Sequence, residues 1–174
     1  MGVLNSAIAT PLSRKVIRNL TKTVRQKSNT DQTLYFPVIH FIEWFLPMFD
    51  NDFSLEILSI STMGNCHGKS YPSEHKICLR QDVYERACVD VGRDRFTIAH
   101  EIGHYFIHTP DKIQYARMES YTQIPSYMQP EWQANTFAAE LLVPHDLILG
   151  MDCSTIAREC AVSYQVAKIQ QSKF

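Results

Sequence analysis

The stretch TIAHEIGHYFIH, residues 97–108, places three histidines, His100, His104 and His108, at intervals of four residues. The surrounding sequence predicts an α-helix from about residue 93 to residue 108. On an α-helix, residues four apart differ in direction by about 40°. His100 and His104 therefore rise from one face and can converge on a single cation, so their spacing is that of metal ligands.

The residues from His100 to His104 follow the HExxH pattern, in which two histidines bind zinc and the glutamate acts as a general base. Zinc binds imidazole nitrogen readily, and a hydrolytic zinc keeps three protein ligands and leaves its fourth position for solvent. Glu101 lies about 100° round the helix from His100. Its carboxylate can reach that solvent molecule rather than the metal. The pattern therefore predicts a hydrolase with Zn²⁺ as cofactor and Glu101 as base.

A third ligand has to come from further along the chain, where the candidates are His108, Asp111, Glu119, Glu131, Glu140, His145 and Asp146. His108 lies about 12 Å along the helix axis from His100, too far to share one ion with the first pair. We expect it to support a ligand, to line the substrate cleft or to lie on the surface. Glu131 opens a separate predicted helix, EWQANTFAAELLV, whereas Glu140 lies about two and a half turns later and points to the opposite side. Glu131 shares its side with four apolar residues, Ala134, Ala138, Leu141 and Leu142. We therefore expect Glu131 to be the third ligand.

Several further residues are candidates for supporting roles. Asn135 lies one turn after Glu131, where it could hydrogen-bond a metal ligand or the substrate backbone, or orient its own helix. A hydrolase of this kind also needs a donor for the developing oxyanion. The candidates for that donor are Tyr105, His108, Tyr121 and Tyr127, and the sequence does not choose among them.

The length and the pattern of elements predict the fold class. A chain of 174 residues suits one domain better than two, so we expect a single unit over 1–174. We divide it into N-terminal helices (1–50), a sheet with the active-site helices (51–144) and a C-terminal helical pair (145–174). The expected class is α+β, mostly helical, with a small antiparallel sheet made by FSLEILSI (53–60) and HKICLR (75–80). Residues 109–130 read as a long loop of the kind that is functional or disordered.

Charge and hydropathy argue against two classes of partner. The 17 basic residues nearly balance the 18 acidic residues, so no long-range field indicates binding to nucleic acid or to an anionic membrane. No run approaches the roughly 18 apolar residues of a membrane span, and the start lacks the pattern of a signal peptide. The 5 cysteines form no CxxC pair, which favours reduced thiols. We expect a cytoplasmic protein.

Two basic or helical segments have alternative interpretations. The residues STIARECAVSYQVAKIQQ (154–171) predict two short helices, a pattern that is also typical of a helix-turn-helix. Such a motif would offer DNA the side chains Tyr164, Gln165, Lys168 and Gln171. Its few positive charges favour packing or partner docking instead.

A predicted helix over 12–28 carries four basic residues along one face, Arg14, Arg18, Lys22 and Arg25. They form either a solvated face or a surface for an acidic partner.

The combination of RDRFTIAHEIGHYFIH (93–108) with EWQANTFAAELLVP (131–144), preceded by ICLRQDVYERA (77–87), resembles the ImmA/IrrE family of bacterial and phage metallopeptidases. The resemblance covers residues 50 to 170. It implies a compact zincin-like fold, a zinc held by His100, His104 and Glu131, and Glu101 as the base. It also implies cleavage of a helix-turn-helix repressor encoded nearby.

Two functions of different class follow. The first is a zinc endopeptidase that acts on a cytosolic protein, a repressor or an antitoxin, with the 109–130 segment helping to form the substrate cleft. The second is a binding module, in which the metal site is structural and regulation comes from holding a repressor or from contacting DNA through the C-terminal helices. Substitution of Glu101 discriminates between them, because only the first needs a base.

Overall fold

The computed structural model describes residues 4–118 and 124–173, with the backbone alone at 4–6 and 114–118. Its α-helices are α1 (Arg14–Lys27), α2 (Val38–His40), α3 (Leu46–Phe49), α4 (Ile60–Met63), α5 (Gln81–Cys88), α6 (Gly92–Ile107), α7 (Pro130–Leu142), α8 (Cys153–Glu159) and α9 (Tyr164–Gln171). A π-helical segment, Phe41–Phe45, joins α2 to α3. The strands are β1 (Leu4–Ala9), β2 (Ser54–Leu58), β3 (Gly68–Tyr71), β4 (Lys76–Arg80) and β5 (Ile113–Met118). The predicted α+β class, mostly helical with a small sheet, is confirmed.

The three-stranded sheet has the order β2-β4-β3. The two predicted strands do lie side by side, but the expectation that they pair antiparallel was wrong. β2 runs parallel to β4, with Ser54 opposite Lys76. The turn-rich stretch between them supplies β3, which pairs antiparallel with β4, Gly68 opposite Leu79. Because parallel neighbours need a crossover, α4 and β3 together make that connection.

A second, two-stranded sheet was not expected. β1 pairs antiparallel with β5, with Leu4 opposite Met118 and Ala9 opposite Ile113. The prediction of a loop over 109–130 was therefore wrong for residues 113–118. Neither strand has a strong alternating pattern of its own, so each depends on the partner that the fold brings to it.

The core is built around α6 and α7, with α1 packed against α7 and the three-stranded sheet against α6. Side chains from all of these elements are fully buried, among them Ile17, Phe36, Ile77, Ile98, Ile102, Phe137 and Leu141. α7 begins at Pro130, whose fixed φ and missing N–H suit the first turn of a helix. As expected for a central helix, nearly all of its later residues are buried.

A glycine sets the distance between α6 and α7. A Cβ built on Gly103 would lie 3.1 Å from Phe137 Cβ and 3.2 Å from the Ala134 carbonyl oxygen. These distances are shorter than ordinary van der Waals contacts, so the two backbones approach as they do because position 103 has no side chain. The close approach brings the first turn of α7 beside the histidines of α6.

The predicted helix over 12–28 is confirmed as α1, but its basic stripe is not simply a solvated face. Arg14 Nη1 donates to Glu140 Oε1 at 2.7 Å and Arg18 Nε donates to Glu140 Oε2 at 2.8 Å. Arg14 also donates to Gln170 Oε1 at 2.8 Å, while Arg25 is 2 % exposed. The stripe thus holds α1 against α7 and α9, and Glu140 points to this side rather than to the histidines.

Substituting Glu140 with alanine should lower the free energy of unfolding. Removing one partner of a buried ion pair costs about 3–5 kcal/mol. The side chains of Arg14 and Arg18 keep 25 % and 21 % exposure, which lets water compensate, so we expect a loss of roughly 2 kcal/mol. Chemical denaturation measures it. Glu159→Ala, which breaks an exposed pair with Arg158, is the control, and equal losses in the two variants would contradict the prediction.

The predicted C-terminal helical pair is present as α8 and α9. Ile156, Cys160 and Ala167 are fully buried, and Gln170 donates to the carbonyl oxygens of Ala139 and Val143 in and after α7. Gln171, one of the four positions expected to face DNA in a helix-turn-helix, donates to the Met151 carbonyl oxygen at 2.6 Å. In the part of the chain described, no helix has both the length and the apolar character needed to span a bilayer.

Candidate metal centre

The structure brings together the three residues expected to bind a metal. His100 and His104 lie one turn apart on α6, with their Nε2 atoms 3.0 Å apart. Glu131, in the first turn of α7, places Oε2 3.4 Å from His100 Nε2 and Oε1 3.3 Å from His104 Nε2. One ligand atom from each residue lies within 4.8 Å of the others. The Glu131 side chain is 73 % exposed, so the cluster opens to solvent on its side.

Asn135 orients the first histidine. Its Oδ1 lies 2.9 Å from His100 Nδ1, and because an amide oxygen only accepts, His100 Nδ1–H is the donor. Neutral His100 therefore carries its lone pair on Nε2, which faces His104 and the Glu131 carboxylate. The His100 lone pair, the imidazole of His104 and the Glu131 carboxylate can each offer an electron pair to a metal. Zinc binds N and O ligands of this kind. The residues present thus fit a cation.

Behind the second histidine lie two buried polar side chains. His104 Nδ1 is 2.8 Å from His108 Nδ1, and His108 Nε2 is 2.9 Å from Gln133 Oε1. Burial, and then repulsion from His100 and His108, lowers the pKa of His104 to about 3. At neutral pH this ring is therefore uncharged, and one of its nitrogens has a lone pair that can bind a metal without loss of a proton. His108 thus contacts His104, one of the predicted ligands, and lies apart from the cluster that could hold a metal.

Glu101 lies one residue after His100 but faces the sheet. It is 8 % exposed, and a Cβ built on Gly68 would lie 2.7 Å from Glu101 Cγ, so the carboxylate packs directly on β3. Burial, with the negative charge of Glu131 as the second cause, raises the pKa of Glu101 to about 7, while a hydrogen bond from the Ser70 backbone acts in the opposite direction. A base with a pKa near the working pH both accepts and releases a proton readily.

The three tyrosines that were candidates for the oxyanion donor lie in different surroundings. The Tyr105 hydroxyl donates to Asp50 Oδ2 at 2.5 Å, and its ring packs edge-on against Phe53, so Tyr105 contacts the segment between α3 and β2 rather than the cluster. The Tyr127 side chain is 46 % exposed, and its carbonyl oxygen accepts from Gln133. Tyr121 lies outside the described residues.

The model of one protein family, the IrrE N-terminal-like domain of Peptidase_M78, matches residues 56–170. The chain belongs to this family. His100, Glu101, His104 and Glu131 all lie inside the segment matched by the IrrE N-terminal-like domain, which makes the protein metallopeptidase-like. A comparison with curated proteins finds no match. β1, α1 and the helices up to Phe49 precede the matched segment, although Ile17 and Phe36 belong to the same buried core.

Two site residues within the IrrE N-terminal-like domain were missed from the sequence. Gly68 lies in β3, between the two strands that the sequence predicted, and a glycine inside a strand indicates close approach of another group. Gln133 is fully buried between α7 and the N-terminal segment. A polar side chain in a helix as apolar as EWQANTFAAELLV indicates a buried hydrogen-bonding partner, and that pattern could have found it.

Proposed function

We propose that the protein is a zinc-dependent endopeptidase that cleaves a cytoplasmic protein. The observation that carries the proposal is the convergence of His100 Nε2, His104 Nε2 and the Glu131 carboxylate on one point, with the buried Glu101 carboxylate beside them. Three ligands and a separate base are the set that a hydrolytic zinc site needs. Membership of a peptidase family supports the same reaction class.

Each residue has a distinct role in this proposal. His100, His104 and Glu131 hold the zinc, which supplies Lewis acidity toward a carbonyl and lowers the pKa of bound solvent. Asn135 keeps His100 in the tautomer that binds through Nε2. Glu101 accepts a proton from the attacking solvent on its carboxylate and later delivers it to the leaving amine. Its side chain is buried against Gly68 of β3, which limits the space in which the carboxylate can move.

The surroundings of the cluster favour a polypeptide substrate. β3 is an edge strand of its sheet among the described residues, and Gly68 of that strand contacts Glu101. An extended peptide can add to such an edge through main-chain hydrogen bonds. Asn135 also lines a groove of about 370 Å³, together with apolar residues of α6, α7 and α9 that include Phe96, Trp132, Val166 and Ile169. It offers an apolar wall to a substrate side chain.

The proposed substrate is a helix-turn-helix repressor or an antitoxin encoded nearby, as the family resemblance implies. No direct contact with nucleic acid or membrane is part of the proposal. The cysteines support a reducing, cytoplasmic location, since Cys66, Cys78, Cys88, Cys153 and Cys160 are all unpaired. Incubation of the zinc-loaded protein with a helix-turn-helix protein encoded beside its gene, followed by mass spectrometry of the products, tests the assignment. Absence of a zinc-dependent cut would contradict it.

Gly68→Ala should lower the turnover number while leaving zinc binding intact. The new Cβ would lie 2.7 Å from Glu101 Cγ, so the carboxylate has to move from its place beside the cluster. Misplacement of a catalytic group by about 1 Å can cost about 100-fold, and we expect a fall in kcat of about 10- to 100-fold. Steady-state kinetics and zinc content measure the two effects. Asn65→Ala, at an exposed position outside β3 and the metal cluster, is the control, and an unchanged kcat in Gly68→Ala would refute the role given to this glycine.

A further inference from the structure

A chain of buried hydrogen bonds leads from the metal cluster to the N-terminal segment. Gln133, which is 0 % exposed, contacts His108 through Oε1. Its Nε2 donates to the carbonyl oxygens of Thr10 at 2.9 Å and Tyr127 at 2.7 Å. Both amide hydrogens are thus used on backbone carbonyls, which can only accept. The orientation of the Gln133 amide is therefore fixed by the backbone.

The fixed amide determines which nitrogens of the two histidines carry protons. Because Gln133 presents its oxygen to His108, His108 Nε2–H must be the donor of that hydrogen bond. A neutral imidazole has one N–H, so His108 Nδ1 is an acceptor. It lies 2.8 Å from His104 Nδ1, and therefore His104 Nδ1–H donates to it. The lone pair of His104 is left on Nε2, the atom that faces His100 and Glu131.

Both rings are neutral for a physical reason. His108 is 8 % exposed and lies directly against His104, so a positive charge on either ring would be both poorly solvated and close to its neighbour. The titratable and charged groups around His108 are His100, His104, Lys112 and Glu131.

We propose that Gln133 is a positioning residue for the metal centre: held by the carbonyl oxygens of Thr10 and Tyr127, its amide fixes, through His108, the tautomer in which His104 offers Nε2 to the metal. The inference rests on the proposed metal site. It adds a contribution from Thr10, which precedes the segment matched by the family model, 56–170. Partners of this kind orient ligands, and losing one lowers metal affinity by about 10- to 100-fold.

The matched control for Gln133 is Gln170. This glutamine is also buried, at 1 % exposure, it donates to two carbonyl oxygens, and its Oε1 accepts from Arg14. Gln133→Leu and Gln170→Leu therefore lose the same kinds of hydrogen bond, but only the first should affect zinc. We expect Gln133→Leu to weaken zinc binding by about 10- to 100-fold, measured by competition with a chromogenic chelator, and Gln170→Leu to bind zinc as the unsubstituted protein does.

A double variant separates orientation from packing. His108→Leu should weaken zinc binding as much as Gln133→Leu does, and the double variant should weaken it no further, because both act through one contact. Equal zinc affinity in Gln133→Leu and Gln170→Leu, or additive losses in the double variant, would overturn the proposal.

The tautomers can be read in the protein without any substitution. Long-range ¹⁵N–¹H NMR of the zinc-free protein should show a proton on Nδ1 of His104 and on Nε2 of His108. The opposite tautomer at either ring would overturn the proposal even if Gln133→Leu fails to fold. A protein that binds zinc in a Gln133-dependent way but cuts no substrate would refute the peptidase assignment alone.

Discussion

Glu101→Gln should abolish detectable cleavage while leaving zinc bound. The amide has nearly the shape of the carboxylate but cannot accept the proton that the attacking solvent releases, and a general base contributes about 10²–10⁴-fold. We expect kcat/KM to fall by that factor, about 3–5 kcal/mol of transition-state stabilisation. Cleavage of the cognate helix-turn-helix protein measures activity, and atomic absorption of the dialysed protein measures zinc.

The same substitution decides between the two classes of function. Glu85→Gln, at an exposed glutamate whose partner is Gln81, controls for the change of charge. If the Glu101 variant keeps its biological effect on the repressor, the binding-module interpretation gains and the peptidase proposal fails. Deletion of residues 154–173 is then the next experiment. It needs a stability measurement beside it, because Ile156 and Ala167 are buried in the core.

Glu131→Gln should remove most of the affinity for zinc. An amide oxygen is a neutral and weaker ligand than a carboxylate, and only His100 and His104 would then hold the ion in the described cluster. Loss of an orienting partner alone costs about 10- to 100-fold, so loss of a ligand should weaken binding by more than about 100-fold. Chelator competition measures this directly. In thermal unfolding, zinc at 100 times its Kd stabilises by about 2.7 kcal/mol, and the variant should lose that stabilisation at the same zinc concentration.

The expected loss of zinc affinity in Glu131→Gln can be checked against the stability of the zinc-free protein and against a second variant. Glu131 is largely exposed, so its substitution should leave the melting temperature of the zinc-free protein nearly unchanged. Glu140→Gln, on the opposite side of α7, should show the reverse: lower stability without zinc and unchanged zinc affinity. Retention of tight zinc binding in Glu131→Gln would show that the metal takes its third ligand elsewhere.

The main elements of the site could be predicted from the sequence because helical geometry connects spacing to direction. HExxH fixes the relation of His100, Glu101 and His104 within one helix, and the apolar side of the next long helix selected Glu131 over Glu140. Both choices depend on angles within a helix, which are the same in every protein. The roles of these residues remain predictions until metal binding and cleavage are measured.

The parts that the sequence did not predict depend on contacts between distant segments. The direction of β2 relative to β4, and the pairing of β1 with β5, follow from how the core assembles, and short strands carry little information about their partners. The contacts of Gly68 with Glu101 and of Gln133 with Thr10 join residues far apart in the chain. The basic residues Arg14 and Arg18 look solvated until Glu140 is known to face them.

The pairing of β1 with β5 also bears on the order of folding. Ala9 and Ile113 are neighbours in this ribbon, so forming it closes a loop that contains α1 to α6. The entropic cost of loop closure rises with loop length, whereas β3 and β4 are joined by a short turn and can pair early. We therefore expect the carbonyl oxygen of Thr10, directly after β1, to reach Gln133 late in folding, and the histidines to acquire their fixed orientation only then.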